Sequence, residues 1–115
     1  MLKLVTAIAI VLASFQCIAD EIDLTKCTFP SDVPSLPNGL VATQSDMSSA
    51  SASVKTYATA MQEGLACIDE IGLQLGELAT DEQKVAINTA YNEKYDDMML
   101  IVEAFNSEIR AFRAR

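Results

Sequence analysis

Met47, Val54, Met61, Ile68 and Leu75 are spaced by sevens, and three residues after each come Ala50, Tyr57, Gly64, Ile71 and Leu78. Two such seams kept over several heptads constrain this chain more than anything else in it. They predict one long helix that packs as helices do in a coiled coil. A second stretch repeats the pattern, with Tyr91, Met98, Phe105 and Phe112 in one row and Asn88, Tyr95, Val102 and Ile109 in the other. Each stretch opens on a capping sequence, Thr43-Gln44-Ser45-Asp46 in a weaker form and Thr80-Asp81-Glu82-Gln83 in the standard one. The link between them is very short, so the helices must be antiparallel neighbours. The predicted fold class is therefore all-α, a coiled-coil-like antiparallel two-helix hairpin over residues 44–115, with helices about 44–78 and 81–113. Gly64 and Gly72 lie on or beside the seam, where the missing side chain leaves room for Tyr91 or Tyr95.

The chain begins MLKLVTAIAIVLASFQCIA, which reads as a secretory signal peptide over residues 1–19. Lys3 precedes an apolar run from Leu4 to Ala13, and Cys17-Ile18-Ala19 puts small residues at both key positions of a cleavage site. The apolar run is shorter than the ~20 residues a bilayer-spanning helix needs, which argues against a retained anchor. Lipidation of Cys17 is the other alternative, but Ser14, Phe15 and Gln16 match its pattern poorly. Export to the bacterial periplasm or beyond is the expectation, with no membrane attachment once the leader is cut.

Of the three cysteines, cleavage would remove Cys17 and leave Cys27 and Cys67. In an oxidising compartment these two have one intramolecular pairing open to them, against a bridge between two chains. The formal net charge of −8 becomes −9 when Lys3 is lost, a balance that opposes binding to nucleic-acid phosphates or anionic lipid.

All three prolines, Pro30, Pro34 and Pro37, fall between Cys27 and the first helix. Proline presets an extended backbone that needs no ladder hydrogen bonds. From Cys67 back to Thr43 is roughly 36 Å of helix, and the segment from Cys27 to Thr43 reaches roughly 50 Å when extended. Residues 20–43 are thus expected to form a strap, held by Cys27–Cys67, that runs down the groove bordered by Cys67 and Ile101 and turns at Pro37-Asn38-Gly39. Phe29, Val33, Leu36 and Leu40 would be buried beneath it. The run Met98-Met99-Leu100-Ile101-Val102 is apolar right round the helix, so more than one face of it should be covered.

On the other side of the hairpin, Ala58 and Leu65 approach Met99 in the heptad frame. That apolar patch is the expected partner-binding surface, for a homodimer or another protein. Chemistry is harder to find. The chain has no histidine and no tryptophan, which removes the commonest general base and metal ligand. No phosphate loop is present. Asp69, Glu70, Glu93, Asp96 and Asp97 cluster in the sequence frame, but on outward positions suited to a solvated acidic face. Asn88 fits a register-fixing role, and Tyr57, Tyr91 and Tyr95 a core one. No catalytic residue, metal or cofactor is expected.

Cys27-Thr28-Phe29-Pro30, the later prolines and Gly39, Val54-Lys55-Thr56-Tyr57, Cys67, Tyr91-Asn92, Phe105-Asn106 and Ile109-Arg110 together look like a set of small exported proteobacterial proteins of no assigned function. The resemblance implies an envelope or secreted location and carries no activity. Ala79-Thr80-Asp81-Glu82-Gln83 is more weakly similar to the LTxxQ element of periplasmic helical stress chaperones, with Ala79 where that motif has leucine. The leading expectation is a non-enzymatic structural or protein-interaction role. The alternative is a chaperone or stress-type binder that holds unfolded clients.

Overall fold

The computed structural model describes residues 22–115, and the leader assigned to residues 1–19 lies outside them. Two α-helices dominate, α1 at Gln44–Leu75 and α2 at Asp81–Ala114, with short 3₁₀ turns at Leu24–Lys26 and Gly76–Leu78. The fold is an antiparallel helical hairpin with an extended N-terminal strap bonded to it through Cys27 and Cys67, whose Cα atoms are 5.4 Å apart.

Both helices start where the capping sequences place them. The Thr43 hydroxyl accepts from the Asp46 N–H at 3.1 Å while Thr43 N–H donates to the Asp46 carboxylate at 2.9 Å. Thr80 and Gln83 repeat the exchange at 3.1 and 2.9 Å. Each box satisfies two backbone donors that a helix start leaves without partners. Ala42, just before the first cap, is buried in one cluster with Met47 one turn inside the helix, a hydrophobic staple that fixes how the strap enters α1.

The first helix stops at Leu75, three residues short of its heptad pattern, because Gly76 takes a backbone φ of +53° that favours glycine. Leu78 and Ala79 then complete the turn, and α2 begins at once.

Two apolar clusters fill the interior. Met47, Ala50 and Val54 meet Phe105, with Val102, Ile109 and Phe112 against them. Tyr57, Met61 and Leu65 meet Met98, with Tyr91 and Met99 against them. The seams predicted from the sequence thus interlock over most of the hairpin. Towards the turn they shift. Asn88 is exposed rather than in the seam, and Ile87 instead packs 3.8 Å from where a side chain on Gly72 would stand. A straight α-helix drifts by about 20° per heptad against a strict seven-residue repeat, which is enough to pass the seam from one residue to its neighbour.

The strap runs antiparallel to α1 and covers one side of the hairpin. Cys27 bonds Cys67, Phe29 lies on Gly64, Leu36 packs on the Met47–Val54 cluster, and Gly39 meets α2 at Glu108 and Phe112. The chain turns at Asn38: Val41 and Ala42 N–H both donate to the Asn38 carbonyl, and Leu40 N–H donates to its side chain.

Candidate interaction surfaces

The strap contacts explain where the expected site residues end up. A Cβ on Gly64 would stand 2.4–2.8 Å from the Phe29 ring, so the glycine is the seat of Phe29 and not of Tyr91 or Tyr95. Lys94 reaches over the other side of that ring, its Nζ 5.0 Å from the centroid. With Phe29 seated on Gly64, Leu65 joins the seam residues Met61 and Ile68 in the interior.

Its burial removes the centre of the expected patch. Leu65 is only 4% exposed and belongs to the core, with Ala58 and Met99 half-buried against the same cluster. A heptad frame drawn for two helices places Leu65 outside; the third body, the strap, turns it in. The strap residues divide as well. Phe29, Leu36 and Ile101 pack inward as expected. Val33 is 58% exposed and Leu40 63% exposed, so neither is buried. The Asn38 turn swings Leu40 outward and brings Ala42 to the core in its place.

Gly39 is held by the closest backbone approach in the described residues' glycine environment. A Cβ there would fall 2.0 Å from the Glu108 carbonyl oxygen, and Gly39 N–H donates to the Glu108 carboxylate at 2.6 Å. The strap's end is thereby locked to the C-terminal half of α2. Arg115 adds a bond from Nη1 to the Leu40 carbonyl at 3.3 Å and covers the Phe112 ring at 4.3 Å.

A cleft of about 620 Å³ opens where the strap begins, floored by Cys27, Phe29 and Ile68 and rimmed by Glu93 and Lys94. Asp69, Glu70, Glu93, Asp96 and Asp97 are all exposed, and among the described residues no three acidic, cysteine or histidine side chains converge as a metal site would need. Tyr91 and Tyr95 stack with centroids 6.4 Å apart, Tyr95 on the outer side. Burial, and secondarily the charge of Asp97, raises the phenol pKa of Tyr57. Among the described residues no helix is long and apolar enough to cross a membrane.

No family model, curated protein or solved structure matches this chain.

Exposed apolar side chains lie along the midsection, at Val33, Tyr95 and Leu100, and at the two ends of the hairpin. At the turn, Leu73, Leu78 and Val85 are exposed, Leu78 to 92%. At the opposite end Leu40 and Val41 are exposed, beside the last residues of α2. The sequence seams hid the turn group, because Leu78 continues the heptad row of α1. Its signal was the glycine at 76, which ends the helix before the row does.

Proposed function

We propose that this is an exported, non-enzymatic helical protein, of the bacterial periplasm or secreted, whose role is structural and exercised through contacts with other proteins. The disulfide supports the compartment, since such bonds persist where the surroundings are oxidising. The observation that carries the interaction role is the turn: Leu78 stands 92% exposed between exposed Leu73 and Val85. Single exposed apolar side chains are ordinary, but several gathered at one tip form the kind of patch that serves as a contact site.

The test is a photo-cross-linking side chain placed at position 78 and, as a control, at exposed Gln62 on α1. Irradiation of cells making the protein is expected to give a protein adduct from position 78 and none from position 62. Absence of any adduct at 78 would refute the interaction role. Sequencing of the N-terminus tests export separately; the expected first residue is Asp20, and an intact leader would refute it.

The same exposed leucines favour a second reading, a binder of unfolded clients. It requires the protein to delay aggregation of a denatured, reduced client at equimolar ratio, and unchanged light scattering would reject it.

A further inference from the structure

The two exposed ends differ in charge. Around the turn, Asp69, Glu70, Glu77, Asp81 and Glu82 surround Leu73, Leu78 and Val85, with Lys84 the one base among them, and the last turn of α1 carries no basic residue. At the other end Arg115 donates to the Leu40 carbonyl beside exposed Val41, and Arg110 and Arg113 stand with it in the last turns of α2. The two acids nearest there are engaged with backbone N–H groups, Asp46 with Thr43 and Glu108 with Gly39. One end is therefore apolar within an acidic rim, and the other apolar beside a basic one. They are separated by the length of α2, about 50 Å for its 34 residues.

We propose that the turn of one copy docks on the strap-and-arginine end of a second copy, so that the protein associates head to tail. This deepens the interaction role proposed above, and rests on it, by naming the partner as this chain itself. Charge complementarity is what pairs the two ends. A net charge of −8 disfavours most ways of bringing two copies together, including turn against turn, where acidic rims would meet. Head to tail is the arrangement that sets Glu77 and Glu82 against Arg110 and Arg113 while Leu78 covers Leu40 and Val41. Such a contact joins different patches on the two partners, so it leaves one of each free and propagates as an open chain. The patches are small, which places the contact among weak, transient ones.

Light scattering on the purified protein with its disulfide intact tests this first. The apparent mass is expected to climb through successive multiples of one chain as concentration rises, and to fall back as salt screens the charges. A mass that stays at one chain, or stops at two irrespective of salt, would overturn head-to-tail association. Charge exchange tests the geometry. The double variant Glu77→Lys with Glu82→Lys cancels the acidic excess of the turn, and Arg110→Glu with Arg113→Glu makes both ends acidic. Each alone is expected to stay monomeric, and an equimolar mixture to recover association as pairs, because the unchanged acidic turn of one variant then meets the unchanged basic end of the other. All four positions are exposed, so folding should survive, and circular dichroism checks this. A mixture that stays monomeric would overturn the proposal. If position 78 still cross-links in cells, but to a different protein, self-association fails while the interaction role stands.

Discussion

At the scale of single residues, two glycines decide how the strap lies. Gly64→Ala gains about 1 kcal/mol of helix propensity, yet the new methyl would meet the Phe29 ring at 2.4 Å. Overpacking of that kind costs about 1–3 kcal/mol, so the net effect is expected to be destabilising. In a Phe29→Ala background the clash is gone, and the same change should stabilise; urea unfolding of the four proteins in the cycle measures the reversal. Gly39→Ala has no such escape, because its methyl would meet backbone at Glu108. It is expected to cost about 2–3 kcal/mol, readable as a lower urea midpoint. Tyr57 makes a prediction in pH. Its phenol pKa is raised in the fold, first by burial and then by Asp97. The folded protein thus holds a proton that the unfolded chain loses earlier, and stability is full below the ordinary tyrosine pKa and declines as pH rises through the raised one. Tyr57→Phe should remove that part of the alkaline decline, and unfolding midpoints measured on both sides of the tyrosine range will show it.

At the scale of elements, the helices rest on local chemistry and the strap on distant contacts. Thr80→Ala removes the hydroxyl that accepts from the Gln83 N–H in the second capping box and should cost about 1 kcal/mol. The disulfide joins residues 40 apart, which in the chain-entropy account is worth about 4 kcal/mol. Reduction should therefore lower the unfolding midpoint much more than loss of either cap. A midpoint unchanged by reductant would mean that the strap is held by its apolar contacts alone. These differences also explain what the sequence made legible. Caps and heptads are written within a few residues of one another, so α2 could be placed almost to the residue and α1 to within its last turn. With two cysteines outside the expected leader, the staple could be named as well. The strap's side chains could not be sorted, because an extended, proline-broken segment has no periodicity to say that Leu36 faces in and Val33 out. Leu65 was misplaced for a related reason: the heptad frame describes two bodies, and Phe29 on Gly64 makes three.

At the scale of the whole molecule, the strap covers one side of a hairpin and leaves apolar groups in water at both ends as well as at Val33, Tyr95 and Leu100. Core contacts along the length tie strap, α1 and α2 into a single unit. The two ends differ in charge, acidic around the turn and basic beside Leu40 and Val41. Every part of that account depends on the strap lying where Phe29 meets Gly64. The most direct measurement is proton NMR on the unreduced protein, looking for contacts between the Phe29 ring and the Gly64 α-protons. The account predicts strong cross-peaks between them, lost when Phe29 is replaced by alanine. Phe29 contacts to Tyr91 or Tyr95 in their place, or free thiols at Cys27 and Cys67, would contradict it.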